Sequence, residues 1–398
     1  MVREVLYMKI FRRLLPLFLI LALLTSLSAC TKKTTGTQSS EEEKTVTEVG
    51  DYLKTSVNAE ALNEYISFET DISEKKYESF LFCVDKDNYL IMFSPNINYA
   101  PKSNEPAPDK LTLFRYNVPT DKTTKIYSSP NPPAPGIYLF STAADGSFFI
   151  YGAYHLLSFD KNFDLEHTIN LTSDVEYDSL KAISPDGQNI VLVDNKKLYI
   201  AELSDMSKRT ELSELNFMRD VTFSKDGTKV FQPVHSQGAY SLIGIEYVDI
   251  ITGENKKLTC FTEGEFNGMG AIYPYDETHM LVTVLQEGGY VGEGDIHFFL
   301  VDYENDTRQE LFMRPTCSGA APQILPSCKG IYTHHRSISE NSVDFIEFEL
   351  FNGETFYFDF EDKRIRNYAL SENGESVFVI YENKDSENGF EAVIYTKK

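Results

Sequence analysis

The 398-residue chain contains no tryptophan. Stacking of a sugar ring on a broad indole face is therefore excluded, and any such contact falls to the 24 tyrosines. Positive charge is scarce as well: 37 Lys and Arg stand against 60 Asp and Glu, a net charge of −23. Nucleic-acid binding rests on Lys and Arg neutralising phosphates, so no nucleic-acid partner is expected. The same balance argues against a face pressed onto anionic lipid. It reads as plain solubility or as an acidic site, and charge alone does not separate the two. The five cysteines form no C-x-x-C pair, so neither a zinc ribbon nor a redox motif is suggested. There is no G-x-S-x-G elbow, no H-E-x-x-H and no P-loop. No cofactor or metal is implied.

What is present begins with an address. Lys9, Arg12 and Arg13 precede an apolar run over residues 14–24, broken by Pro16, and then the small-residue stretch Leu27-Ser28-Ala29-Cys30. This order has the form of a signal peptide and is set aside before fold reasoning. The run is short for a spanning helix, so an uncleaved anchor is the weaker alternative. Leu27 to Cys30 resembles the lipobox of bacterial lipoproteins. The resemblance implies that Cys30 is lipidated and becomes the mature N-terminus, holding the protein at the extracytoplasmic face of the cell membrane. Residues 1–29 are then signal peptide and 30–49 a tether almost without large apolar residues. Such a segment cannot bury enough surface to fold, and its reach is about 25 Å. With the first 29 residues (net +3) removed, the remainder carries −26.

Residues 50–398 are rhythmic. Turn signals precede apolar runs at "DKDN" ending at Asn88, "AADG" at Gly146, "SPDG" at Gly187, "SKDG" at Gly227, "YDET" at Thr278, "PSCKG" at Gly330 and "SENG" at Gly374. The steps lie between 40 and 58 residues. Each turn is followed by a second apolar strand, such as "KLYIAEL" or "HFFLVDY", then a polar hairpin and a more polar strand. Aromatic and β-branched enrichment favours strands. Four short antiparallel strands per unit make one blade of a β-propeller, and an Asp-Gly step supplies the φ > 0 residue that a tight hairpin needs. The expected fold is all-β: a seven-bladed β-propeller of four-stranded antiparallel blades. The last unit stops one strand short. Propellers close by letting one terminus complete the blade begun by the other, so an N-terminal strand, residues 65–73, is expected beside residues 390–396. A short helix over residues 58–64 would lead in.

The units "SPDGQNIVLVDNKKLYIAEL" and "FSKDGTKVFQPV" resemble the WD-like repeat of TolB-type propellers, and residues 370–381 do so more loosely. The resemblance implies a scaffold. It carries no catalytic residue onto this chain.

Loop length sorts by face. Connections at residues 95–109, 236–240, 287–295, 336–341 and 382–388 join second to third strands. Irregular segments at 129–136, 262–270 and 314–319 join one blade to the next. All of these belong to one face, and binding residues concentrate on loops held by a rigid scaffold. The candidate binding face comprises Tyr99, Lys102, Glu105, His235, Tyr240, Glu287, Tyr290, Glu293, Asp295, His335 and Arg336. Glu287 to Asp295 reads either as a cation loop or as a solvated hairpin tip, and it lacks the ligand order of a known calcium loop. His334 and His335 must point to opposite faces of a strand, so they cannot share one metal. One could face the channel beside Arg336 and take a carboxylate; a half-buried strand-end histidine is the plainer reading. Cys317 and Cys328 flank an extended strand of about 36 Å, far beyond disulfide reach, and should not pair with each other.

Two functions fit. One is a membrane-tethered, monomeric binding or interaction scaffold for a protein, peptide or glycan. The other is a propeller hydrolase or lyase acting on a polysaccharide, since site residues drawn from separate blades leave no local motif. The anchor is testable directly: Cys30→Ala should leave the protein unprocessed or released from the membrane in fractionation. A variant that fractionates and migrates like wild type overturns the lipoprotein reading.

Overall fold

The computed structural model describes residues 46–49, 51–66, 75–96, 98, 110–129, 138–152, 155–170, 179–194, 197–214, 221–235, 242–262, 265–266, 270–287, 294–316, 322–335, 344–360, 363, 365–383, 386 and 389–398. The chain opens with β1 (Val46–Val49) and β2 (Tyr52–Ser56), followed by a single 3-10 turn, Glu60–Leu62, inside the span expected to be helical. Blade 1 is β3 (Tyr77–Asp85), β4 (Asn88–Pro95), β5 (Leu111–Asn117) and β6 (Lys122–Ser129). Blade 2 is β7 (Leu139–Thr142), β8 (Phe148–Gly152), β9 (His155–Phe159) and β10 (Leu165–Asn170). Blade 3 is β11 (Ser179–Ile183), β12 (Asn189–Asp194), β13 (Lys197–Glu202) and β14 (Asp205–Glu214). Blade 4 is β15 (Thr222–Phe223), β16 (Lys229–His235), β17 (Leu242–Asp249) and β18 (Asn255–Leu258). Blade 5 is β19 (Gly270–Pro274), β20 (His279–Glu287), β21 (Gly294–Asp302) and β22 (Thr307–Thr316). Blade 6 is β23 (Gln323–Ile324), β24 (Gly330–His335), β25 (Phe345–Leu350) and β26 (Thr355–Asp359). Blade 7 starts with β27 (Ile365–Leu370), β28 (Ser376–Glu382) and β29 (Phe390–Lys397). Strands within each blade pair antiparallel in chain order, giving the seven-bladed propeller read from the rhythm.

The hydrophobic core lies between the blades. Among the described residues the buried apolar side chains form seven clusters, one per junction, including the junction of blade 7 with blade 1. A second strand is therefore covered on both faces, and β4, "NYLIMFSP", is buried along almost its whole length. The fourth strand is an edge: β6, "KTTKIYSS", is exposed or half-buried at every position except Ser129. At the last junction the Phe378 ring meets Tyr89 at 5.2 Å and Tyr116 at 5.9 Å. Asn367 of β27 donates from its amide to Ser79 Oγ of β3 at 3.2 Å.

The strand beside β29 corrects the sequence expectation. It is β2, paired from Tyr52↔Lys397 to Ser56↔Val393. Tyr65 instead lies in the turn that follows the 3-10 turn, its N–H donating to Leu62 O at 2.9 Å. Its buried ring packs against Phe93 at 5.0 Å, Tyr77 at 5.2 Å and Phe114 at 5.3 Å. Residues 67–74 lie outside the described residues. Residues 46–49, placed in the tether by composition, form β1, which pairs with β2 as a hairpin from Val46↔Thr55 to Val49↔Tyr52. Blade 7 thus carries a fifth strand.

The turns between first and second strands are short, from two residues between Asp85 and Asn88 to five between Ile183 and Asn189. Their chemistry repeats. In blade 3 the Ser184 hydroxyl donates to Asp186, accepts from Asn189 N–H at 2.9 Å, and Asp186 accepts from Gln188 N–H at 3.0 Å. Blade 4 does the same with Ser224, Asp226, Lys229 and Thr228. Gly187 (φ +72) and Gly374 (φ +72) stand where φ is positive and a neighbouring ring closes the space: an added Cβ would meet Phe149 Cζ at 2.8 Å or Phe348 Cε1 at 2.6 Å. Blade 6 differs from the reading of its sequence. The left-handed position is Cys328 (φ 58), and Gly330 is the first residue of β24, where a Cβ would lie 2.6 Å from Glu349 O. Among the described residues Cys83, Cys260 and Cys328 are free thiols, with Cys328 buried; Cys317 lies outside the described residues.

Truncation separates the two N-terminal strand assignments. Removing residues 1–44 should leave the unfolding midpoint unchanged. Removing residues 1–56 takes β2 and should cost about 3 kcal/mol, from a lost strand ladder and the lost Tyr52–Phe358 ring contact at 4.4 Å, with association through the bared edge of β29. A stable monomer lacking residues 1–56, measured by thermal unfolding and light scattering, would contradict the assignment.

Candidate functional site

The two faces of the ring differ in what their connections do. On the turn face, carboxylates are consumed locally. Asp145 is held below the usual carboxylate range by the Ser147 hydroxyl and then its N–H, and Asp205 likewise by Ser207. On the other face the connections between paired strands are long in sequence: Pro95 to Leu111, His235 to Leu242, Glu287 to Gly294, His335 to Phe345 and Glu382 to Phe390. Long connections thus gather on the face expected.

Of the candidate residues, Tyr99, Lys102, Glu105, Tyr240, Tyr290, Glu293 and Arg336 lie outside the described residues, as does Cys30. His235 and Glu287 are the last residues of β16 and β20 on the loop face. Asp295 is half-buried near the start of β21, opposite Gln286 and Pro315. His335 ends β24; its ring stacks on Phe345 at 4.2 Å, and Nε2 meets Glu347 Oε2 at 3.1 Å.

His334 points the other way, as strand alternation requires. Its side chain is 10 % exposed and sits between blades 6 and 7. The ring meets Tyr368 edge-on at 5.1 Å, and Nε2 lies 4.0 Å from Asp344 Oδ2. Asp344 is buried, and the same oxygen accepts the Ile365 N–H at 3.0 Å, tying the start of β27 to blade 6. Toward the channel, the Tyr332 hydroxyl donates to Gln323 Oε1. Burial first, and then the Tyr368 hydroxyl, pushes the Tyr332 phenol up, so it remains a protonated donor. The wall between blades 6 and 7 therefore offers an imidazole and a neutral hydroxyl from β24, a second hydroxyl from β27 and a buried carboxylate from the residue before β25. This suits recognition of hydroxyl and amide groups. Among the described residues no group of three or more His, Cys, Asp and Glu converges as metal ligands would.

A second polar cluster ends the layer between blades 1 and 2. His155 starts β9 and is buried; its Nδ1 lies 2.7 Å from Asn170 Oδ1. An amide oxygen only accepts, so Nδ1 carries the proton. Burial lowers the imidazole pKa below its usual value, with the Asn170 contact opposing. The neutral ring therefore presents a bare Nε2 lone pair. Tyr138 and Ser94 are also buried at this end of the layer. None of these residues carries a motif. The available signal was a histidine opening the otherwise apolar strand "HLLSF".

No protein-family model and no curated protein matches the sequence. Solved structures do match. Oligogalacturonate lyase from Vibrio parahaemolyticus superposes with a TM-score of 0.54 at 10 % identity, covering 89 % of this chain and 96 % of that one. An oligogalacturonate lyase in complex with manganese gives 0.53 at 11 % identity with the same coverage. TolB from Acinetobacter baumannii gives 0.38 at 16 % identity, covering 74 % and 78 %. The likeness is one of fold.

The buried neutral histidine predicts a pH dependence. A base whose folded pKa is depressed leaves the unfolded chain binding more protons, so stability is full above about pH 6.5 and is lost as pH falls below it. Thermal midpoints of His155→Leu should fall less between pH 7 and pH 5 than those of wild type. Parallel curves would show that His155 does not titrate on unfolding.

Proposed function

We propose that the chain is a lipid-tethered, extracytoplasmic propeller that binds a protein, peptide or glycan through its loop face. The supporting observation is the asymmetry of the ring: short, self-satisfied turns on one face, and on the other, long connections beside the buried polar groups His155, Asp344 and Ser94. The lipobox-like Leu27-Ser28-Ala29-Cys30 supplies the address. A pull-down from envelope extract with the purified propeller, run beside a glycan array, tests the reading. A retained ligand should lose at least tenfold in affinity when residues 97–108 are replaced by a short Gly-Ser linker, and should be unaffected by Lys161→Ala on the turn face. Retention that survives the loop replacement but fails with the turn-face variant would reverse the assignment of faces.

The second reading is a glycan hydrolase or lyase. It is favoured by His334 facing Asp344 beside the Tyr332 and Tyr368 hydroxyls, and by the activity named for the lyases of like fold. New reducing ends or unsaturated termini released from acidic oligosaccharides, and abolished by His334→Ala, would establish it.

A further inference from the structure

Tyr332 of β24 and Tyr368 of β27 bring two phenols together across the seam of blades 6 and 7. Their rings meet edge-on with centroids 6.4 Å apart. The Tyr332 hydroxyl donates to Oε1 of Gln323, its pairing partner on β23, and shares a hydrogen bond with the Tyr368 hydroxyl. β23 and β27 are the innermost strands of their blades, so Gln323 and Tyr368 stand beside the channel. Gln323 is exposed and the two tyrosines are half-buried. A third phenol, Tyr273 on the innermost strand of blade 5, is near enough to act on Tyr332.

This cluster is uncharged and is kept so. Burial is the main reason that the Tyr332 phenol stays protonated. The same surroundings penalise a carboxylate that a ligand brings against it. No surplus positive charge stands by to offset that penalty. Among the described residues of β23, β24 and β27, every basic side chain already faces a carboxylate: His334 lies 4.0 Å from Asp344, His335 3.1 Å from Glu347 and Arg366 3.1 Å from Glu382. What the cluster offers is neutral hydrogen bonding beside aromatic rings. The Gln323 amide carries two N–H donors, and phenol oxygens accept as well as donate. Phenol rings give apolar contact area to C–H groups. A sugar presents the matching combination, hydroxyls that donate and accept on an apolar ring. We propose that Gln323, Tyr332 and Tyr368 form a channel-side contact for an uncharged glycan. The inference rests on the first reading above, of a ligand-binding ring, and departs from the acidic substrate of the second.

The test is calorimetric binding of the purified full-length protein to uncharged hexasaccharides of glucose, xylose, mannose and N-acetylglucosamine, beside hexagalacturonate. One of the uncharged sugars should bind more tightly than hexagalacturonate. Gln323→Ala, at an exposed position, should weaken that sugar about threefold to tenfold with an unchanged melting midpoint. Tyr368→Phe keeps the ring and should weaken it similarly. Lys161→Ala on the turn face should not. Equal or tighter binding of hexagalacturonate overturns the inference and leaves a glycan ligand in place. Binding of an uncharged sugar that survives either channel variant also overturns it, since the sugar then sits elsewhere on the ring. Binding of no hexasaccharide of either kind removes the glycan, and this contact with it, and leaves the protein or peptide ligand of the first reading.

Discussion

A blade of this protein has two apolar faces, and only another blade can cover each. An open row would leave its first and last blades with a bare side, so the ring has to close. Closure falls on the junction of blades 7 and 1, where Tyr89, Tyr116 and Phe378 fill the layer and Asn367 reaches Ser79 across nearly the whole sequence. The seven core clusters are then equivalent in kind, one per junction. Stability is distributed around the circle rather than concentrated in one centre. The ends of the layers, where strands stop and apolar packing gives way to polar groups, are the positions left for chemistry.

The turn face leaves little freedom. Gly187 and Gly374 are required twice over, by a left-handed backbone and by a ring of the preceding blade lying where a side chain would go. The turn therefore sets both the hairpin and the distance between blades. Further backbone contacts tie one turn to the next, as from Ala144 N–H to Pro185 O and from Ser327 N–H to Glu372 O, each at 3.0 Å. Blade 6 keeps the geometry with Cys328 in the left-handed position, its side chain buried in the layer shared with blade 5. Burial pushes that thiol up to about 11, which suits a packing residue better than a nucleophile. A face so constrained has few side chains to spare for a partner.

These constraints explain what the sequence made legible. Polar turns, Asp-Gly in three of the seven units, followed by apolar second strands are strong local signals, and all seven units were readable from them. Outer strands are half-exposed edges, and β2, "YLKTS", alternates too weakly to announce itself. The segment beginning at Tyr65 looks more like a strand, yet its aromatic ring is needed in the layer of Tyr77, Phe93 and Phe114. Alternation did resolve His334 and His335 onto opposite sides. It could not reveal that Asp344, nine residues beyond His335, returns to the same layer as His334, because that proximity is made by the pairing of β24 with β25. Ser94 comes from β4, Tyr138 from the residue before β7 and His155 from β9, and they share no spacing at all.

The two buried histidines show how one scaffold prepares different sites from the same side chain. Both lie between blades on the loop side, and both owe their burial to the ring. His155 is oriented by a neutral amide, which fixes the proton on Nδ1 and leaves the outer nitrogen as an acceptor. His334 has a carboxylate 4.0 Å from Nε2, and that carboxylate is itself held by a backbone N–H of the next blade. The first junction therefore holds its imidazole neutral, with the inner nitrogen engaged and the outer one an acceptor. The second couples its imidazole to the placement of β27 on the channel wall, so anything that engages His334 also acts on the seam between blades 6 and 7. A ligand spanning the loop face would meet these two environments on either side of blade 7 and blade 1, the part of the ring that the N-terminal strand completes.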